Sequence, residues 1–456
     1  MSQDQLLEIL PLSKPPHARI SVPGSKSITN RALVLAALRA KGFAYAIRGG
    51  LRSEDTEIMI DCLRALGFRV LTDWQDGLVS VSSRPEEPTI PAGEANLFVG
   101  NSGTTMRFLT ALVSLGAGRY RLDGVPRMRE RPIEDLLGAL RQLGVNAYSE
   151  KGNGCPPVMV EARGLDGGRV HIKGDISSQF LSGLLLAAPY ARDKITIEVD
   201  GPLVSRPYVD MTVKMLHRWG LFILDDYANG EFQVLTCRAR ELDEKVQDQI
   251  GQAAFHDGFD PRRHTLLRDY EVEPDASAAS YFGAAAAVCG GEITLPGLGE
   301  RSIQGDMRFF ELLEEMGCRV DKSDAALTVA GARLHGIDVD MNDISDTVMT
   351  LAAVACFADT PTTIRNVAHI RFKETNRLAA LAAELRRIGA QVDEHEDGLT
   401  ITPRPLHGAV VETYRDHRMA MSLAVVGLRV PGILIKDPGC AAKTYPGFFD
   451  DLEKLR

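Results

Sequence analysis

Apolar positions along this chain recur at helical spacing and are cut off, five times, by a glycine. The pattern is a leucine, three residues and a glycine: Leu63 to Gly67, Leu140 to Gly144, Leu216 to Gly220, Leu313 to Gly317 and Leu385 to Gly389. Each instance predicts an amphipathic helix closed by a glycine beyond its last turn. The residues that follow, such as Phe68-Arg69-Val70 and Cys318-Arg319-Val320, predict a strand. The glycines lie 77, 76, 97 and 72 residues apart, and one more step reaches Leu452–Leu455. This spacing predicts six units of about 70 residues, longer than a solenoid repeat, and hence two globular halves. The long third interval holds a polar stretch at about 237–270, which reads as an insertion. A break near Glu273-Pro274 leaves three units on each side.

A second recurrence places small polar or charged residues immediately before almost wholly apolar runs. Pro23-Gly24-Ser25-Lys26-Ser27-Ile28-Thr29-Asn30-Arg31 leads into Ala32–Leu38, and Asn101-Ser102-Gly103-Thr104-Thr105-Met106-Arg107 leads into Phe108–Val113. Asp175-Ile176-Ser177-Ser178-Gln179 opens a helix reaching Pro189, and Ser205-Arg206-Pro207-Tyr208 precedes the third repeat helix. In the second half, Asp346 stands before Val348–Val354, Lys373, Glu374 and Arg377 fall within one helical turn, and Asp416-His417-Arg418 opens Ala420–Val426. Arg127, Arg129 and Arg131 crowd one loop, and Lys443 follows Asp437-Pro438-Gly439-Cys440. Taken singly, each motif fits an ordinary helix cap, a solvated basic loop or a surface ion pair. Each equally fits an anion site, because a helix N-terminus offers free N–H groups and a positive dipole end. Gly-Ser-Lys-Ser lacks the upstream glycine of a Walker loop. Cys440 reads as a small buried hydrophobe.

Composition narrows these readings. The chain has 456 residues, 45% hydrophobic and 25% charged, with net charge −9. No apolar run approaches the roughly 18 residues of a membrane span. The acidic balance disfavours nucleic acid as a partner, so the basic motifs are local concentrations in an acidic protein. The polar, acidic N-terminal residues point to the cytoplasm. Seven scattered cysteines without a Cys-x-x-Cys, and ten unclustered histidines, support neither a disulfide framework nor a metal site.

In order, the motifs Pro-Gly-Ser-Lys-Ser…Arg, Gly-Asn-Ser-Gly-Thr, Arg-x-Arg-Glu-Arg-Pro, Ser-Ser-Gln-Phe, Ser-Arg-Pro-Tyr, Arg-x-Lys-Glu-Thr-x-Arg, Asp-His-Arg-Met-Ala and Ala-Lys-Thr closely resemble the 5-enolpyruvylshikimate-3-phosphate synthase family, from about residue 14 to the C-terminus. The resemblance implies an α/β (α+β) fold: a two-domain inside-out α/β barrel of six βαβαββ repeats, three per domain, with the active site in the interdomain cleft. One domain is expected at 23–273, with the insertion about 237–270, and the other at 1–22 plus 274–456. The implied reaction moves the enolpyruvyl group of phosphoenolpyruvate to the 5-hydroxyl of shikimate 3-phosphate, through a tetrahedral intermediate, with release of phosphate. No cofactor is implied. The expected partners are these two small molecules, without nucleic acid or membrane, and a monomer is expected.

Carried over position by position, the resemblance puts shikimate 3-phosphate on Lys26, Ser27, Arg31, Ser177, Ser178, Gln179, Ser205, Tyr208, Asp346 and Lys373. His369 joins them where many relatives carry asparagine. It puts phosphoenolpyruvate on Lys26, Gly103, Arg131, Gln179, Arg377, Arg418 and Lys443, where a side chain at Gly103 would intrude. Asp346 is implied as base for the 5-hydroxyl and Glu374 as proton carrier at the methylene carbon, assisted by Lys26 or Lys443. Thr105 and Phe108 depart from residues common in the family. The alternatives are a transferase acting on UDP-N-acetylglucosamine, disfavoured because Gly124–Arg131 holds no cysteine, and a non-catalytic anion-binding repeat protein.

Overall fold

The computed structural model describes residues 5–236 and 268–456. The polar stretch read as an insertion falls, over residues 237–267, outside the described residues. Twelve α-helices are described, two for each predicted unit: α1 (Lys26–Arg39), α2 (Glu54–Ala65), α3 (Gly103–Val113), α4 (Glu134–Gln142), α5 (Ser178–Ala187), α6 (Arg206–Arg218), α7 (Ala276–Cys289), α8 (Arg308–Glu315), α9 (Val348–Ala355), α10 (Arg377–Arg387), α11 (His417–Gly427) and α12 (Phe448–Glu453). The described residues form six small sheets, five of four strands and one of three.

The second unit shows the pattern. Strand Glu94–Phe98 leads through α3 to the parallel strand Ala117–Asp123. From there α4 leads to the hairpin Asn146–Ser149 and Val158–Arg163, whose second strand lies antiparallel beside Ala117–Asp123. This is βαβαββ, as the family resemblance implies. Helix α4 ends at the predicted glycine: Gly144 has φ +83°, its N–H donates to Arg141 O and the Val145 N–H donates to Leu140 O. The same pair of bonds closes α2, α6, α8 and α10 at Gly67, Gly220, Gly317 and Gly389. Glycine recurs there because a left-handed residue with a Cβ is strained.

Two strands are exchanged along the sequence. Asp269–Glu271 pairs parallel with Ala44–Arg48 and completes the sheet of the first unit. His17–Arg19 pairs parallel with Glu292–Pro296 and completes that of the fourth. Leu6–Ile9 lies antiparallel to Ile433–Lys436 in the sixth sheet, where the other five sheets have the last strand of their hairpin. The chain accordingly divides into two compact units, residues 26–272 and residues 1–25 with 273–456.

Within each unit three helices are buried nearly all round, α1, α3 and α5 in one and α7, α9 and α11 in the other. A helix apolar on every side belongs inside a core. The strands alternate buried and exposed residues, as in Glu94–Phe98, so the helices lie inside and the sheets outside. Among the described residues no helix is long and apolar enough to cross a membrane.

A repeat glycine and a mid-helix glycine together yield a prediction of sign. At Gly67, φ is +91° and an added Cβ falls 2.8 Å from Pro91 Cβ. At Gly138, inside α4, the nearest atom to an added Cβ is Arg141 Nη2 at 3.6 Å. Gly67→Ala should destabilise by about 1–2 kcal/mol and Gly138→Ala should stabilise by about 0.5–1 kcal/mol, both read from urea unfolding midpoints.

Candidate active site

In residues 26–272 three of the polar motifs sit at the N-termini of the inner helices α1, α3 and α5, and a fourth opens α6. Lys26 is the first residue of α1, and its Nζ lies 3.4 Å from Asp55 Oδ2. Arg31, one turn on, is fully buried. Its Nε donates to Thr212 Oγ1 (2.7 Å), its Nη1 to Ser27 O (2.9 Å), and its Nη2 to Tyr208 O (3.0 Å) and Ser182 Oγ (3.3 Å). Burial pulls its pKa down to about 10, so it stays charged at neutral pH. Arg31 thus ties together the backbone of two candidate residues, Ser27 and Tyr208. Ser205, at the start of α6, has φ +52°, an uncommon conformation for a non-glycine residue. Ser177 caps α5, its Oγ accepting from the Gln179 N–H at 3.3 Å, and Ser178 is buried beside it.

Helix α3 starts at Gly103, and there the packing is tight. A Cβ on Gly103 would lie 2.6 Å from Arg131 Nη2 and 3.1 Å from Gln179 Oε1. The hydrogen at this position lets a guanidinium and an amide meet over the first turn of α3. Arg131 is buried and donates to Asn101 O at 3.2 Å. Arg107 holds the same loop, its Nη2 donating to Pro132 O at 2.9 Å. The arginine cluster divides here: Arg129 forks onto Asp123 with both contacts at 2.8 Å, Arg127 pairs with Glu130, and Arg131 alone of the three is buried. Arg206 stacks over the Tyr227 ring at 3.8 Å.

In the other unit, charges alternate around one guanidinium. Arg377 is the first residue of α10 and its side chain is 1% exposed. Its Nε donates to Asp416 Oδ2 (2.8 Å), its Nη1 to Asp346 Oδ1 (3.0 Å) and its Nη2 to Glu374 Oε2 (2.7 Å). The far oxygens take two further cations: Arg418 Nη2 donates to Asp346 Oδ2 at 2.7 Å, and Lys443 Nζ to Glu374 Oε1 at 3.0 Å. Burial would lower the Arg377 pKa, but Asp416, Glu374 and Asp346 hold it above its ordinary value. Lys373 and Glu374 precede the helix, which begins at Arg377 behind the cap Asn376. The predicted Glu374–Arg377 pair therefore bridges a turn and a helix start instead of lying along one helix.

His369 is buried in a short 3-10 turn over Ala368–Phe372. Burial, and then the positive charge of Lys373, push its pKa down to about 3, so the ring is neutral at physiological pH. Asp306, bonded to Ser277, is pushed up to about 6 by burial and then by Asp346. The Cys440 thiol is pushed up to about 12 by burial, which makes it a poor nucleophile.

Sequence reasoning gave no role to Asp416, Asp55 or Thr212. Asp416 was visible only as a helix cap, which it also is, accepting from the Arg418 N–H at 2.9 Å. Asp55 follows Ser53, the cap of α2, and Thr212 lies mid-helix in α6. Nothing local marks either as the partner of a cation. Among the described residues no cluster of histidine, cysteine, aspartate and glutamate could hold a metal ion.

A sequence model of EPSP synthase (3-phosphoshikimate 1-carboxyvinyltransferase) matches residues 13–240 and 258–452. The 3-phosphoshikimate 1-carboxyvinyltransferase of Nostoc punctiforme is 47% identical over 444 residues, covering 97% of each chain. That of Shewanella loihica is 42% identical over 456 residues, covering 98% of this chain and 99% of its own. Among solved structures, EPSP synthase from Acinetobacter baumannii matches with TM-score 0.74 at 23% identity, over 99% of this chain and 98% of its own. The enolpyruvyl transferase NikO from Streptomyces tendae matches with TM-score 0.74 at 19% identity, over 99% and 97%. Those two likenesses speak to fold, and the sequence matches over nearly the whole length speak to descent: the chain belongs to the EPSP synthase family.

Proposed function

We propose that this protein transfers the enolpyruvyl group of phosphoenolpyruvate to the 5-hydroxyl of shikimate 3-phosphate, in aromatic amino acid biosynthesis. The observation that carries the reading is the alternation of carboxylates and cations around Arg377, in which Asp346 and Glu374 are each held between two positive groups. Addition of a hydroxyl across an enol phosphate needs a base at the hydroxyl and an acid at the methylene carbon, and elimination needs a base to take a proton back from the new methyl group and a cation or acid at the departing phosphate. Asp346 is assigned the first task and Glu374 the second, with Lys26 or Lys443 assisting.

Each phosphate carries about −1.5 to −2 charge and each substrate adds a carboxylate. We assign phosphoenolpyruvate to Lys26, Gly103, Arg131, Gln179, Arg377, Arg418 and Lys443. Shikimate 3-phosphate is assigned to Lys26, Ser27, Arg31, Ser177, Ser178, Gln179, Ser205, Tyr208, Asp346, His369 and Lys373. Within the second set Arg31 acts through Ser27 and Tyr208, whose carbonyls it holds, and His369 acts as a neutral donor. Preorganised cations facing the charged tetrahedral intermediate are the largest catalytic term in this scheme. A cytoplasmic monomer is part of the same reading, the location resting on the N-terminal residues and the monomeric state on the family resemblance.

The deciding assay is phosphate release from phosphoenolpyruvate. Release should depend on shikimate 3-phosphate. Release with UDP-N-acetylglucosamine instead, or with neither acceptor, would sink the proposal.

Two predictions follow the geometry. Gly103→Ala drives a methyl against Arg131 and Gln179, so KM for phosphoenolpyruvate should rise about tenfold or more while that for shikimate 3-phosphate changes less. Lys26→Ala, Arg131→Ala and Lys443→Ala should each lose about 2–5 kcal/mol of transition-state binding, measured as kcat/KM. A third concerns pH. The unfolded chain protonates His369 near 6.5, the folded chain only near 3. The stability contributed by the neutral ring is therefore present above pH 6.5 and is lost as pH falls from there toward 3. Asp306 runs the other way, its contribution present below pH 3.8 and lost as pH rises through 6, and it is common to both proteins compared. His369→Asn should keep turnover and lose less stability than the parent between pH 6.5 and 4, followed by chemical denaturation at each pH.

A further inference from the structure

Glu384 lies two turns beyond Arg377 on the same face of α10, and it is a wholly buried carboxylate. All of its acceptor sites are used. Oε1 accepts from Tyr414 Oη at 2.8 Å and Arg387 Nη2 at 3.3 Å. Oε2 accepts from Arg387 Nε at 2.9 Å and the Glu412 N–H at 3.0 Å. Two of these donors belong to the loop that ends in Asp416.

That loop has an unusual backbone. Tyr414 and Arg415 both have φ +55°, two consecutive left-handed residues without a glycine. Such residues persist only where the surroundings hold them. The turn closes with the Asp416 N–H donating to Thr413 O at 2.8 Å. Asp416, fully buried, then faces three ways: it takes Arg377 Nε and Nη2 at 2.8 and 3.3 Å and caps α11 at the Arg418 N–H.

We infer that Glu384 and Tyr414 are positioning residues for the reaction, holding the strained loop so that Asp416 fixes Arg377 and Arg418 at one spacing. The inference rests on the reading above for what those two arginines bind. Helix α10 grips the loop at two points, Arg377 on Asp416 and Glu384 on Tyr414 and Glu412. A single ion pair would leave the loop free to pivot about Asp416, and the second contact removes that freedom. Tyr414 is 40% exposed, but its phenol keeps its proton over the working pH range, its pKa pushed up to about 12 by partial burial and then by the bond to Glu384, so it remains a donor.

The test uses Tyr414→Phe and Glu384→Gln, with Lys436→Ala as control. Lys436 pairs with Glu412 on the same segment, at 2.8 Å. Tyr414→Phe keeps the ring and folds even if the buried amide of Glu384→Gln does not. Amide hydrogen exchange over residues 412–418 should speed up in Tyr414→Phe but not in Lys436→Ala. KM for phosphoenolpyruvate should rise about three- to tenfold in Tyr414→Phe, with kcat and KM for shikimate 3-phosphate within about twofold of the parent. Exchange equal to that of the control overturns the positioning role, and so does faster exchange with an unchanged KM for phosphoenolpyruvate. The exchange measurement needs no turnover, so an inactive parent protein would count against the proposed reaction and not against this inference.

Discussion

The buried charge network of residues 273–456 depends on one guanidinium. Arg377 is nearly inaccessible to solvent, and a charge in that position is tolerated only when its donors are met. Three carboxylates meet them, from three different places in the chain: Glu374 in the preceding turn, Asp346 ahead of α9 and Asp416 ahead of α11. Each of the three sits at or just before a helix start, where the helix dipole favours a negative group. The arrangement is over-determined. Moving any one of these helix starts would leave one buried N–H of Arg377 unmet, at a cost of about 1–3 kcal/mol.

The repeat makes such convergence possible. Inner helices that are apolar on every side can only be buried, so the polar residues that open them are carried inward as well. In a surface helix the cap would face water. Here Lys26, Ser102, Ser177 and Asp416 open or cap helices whose bodies are core. Their side chains therefore end in enclosed, polar surroundings. Arg31 shows the same economy one turn further in, spending its donors on Thr212, Ser182 and two carbonyls, so that the start of α1 and the start of α6 are pinned by one residue.

What could be read in the sequence was what is decided locally. The glycine caps at 67, 144, 220, 317 and 389 and the helix starts at Lys26, Gly103 and Ser178 follow from a few neighbouring residues. Partners were not legible. Thr212 lies 181 residues from Arg31 and Asp416 lies 39 from Arg377, and no periodicity announces either pairing. The arginines at 127, 129 and 131 look alike in sequence, yet Asp123 and Glu130 occupy two of them and leave the third to the interior. The exchanged strands, His17–Arg19 and Asp269–Glu271, have three residues each. That is too short for a period-2 pattern: family likeness puts residues 1–22 with the second half and the repeat spacing puts the break after residue 273, but neither marks these strands or their partners.

The ion pairs themselves bear on the proposed chemistry. Asp346 and Glu374 are assigned proton transfers, yet each is bonded to two cations. A carboxylate so held is a weak base, because the neighbouring charges favour its ionised form. An anionic substrate that takes Arg418 or Lys443 removes one of those charges from the carboxylate and puts its own negative group nearby. Both changes raise the basicity of Asp346 and Glu374. In this scheme the protein keeps its proton carriers quiet by pairing them with the cations that bind the substrate. On that assignment, substrate binding frees each carboxylate for the proton transfer proposed for it.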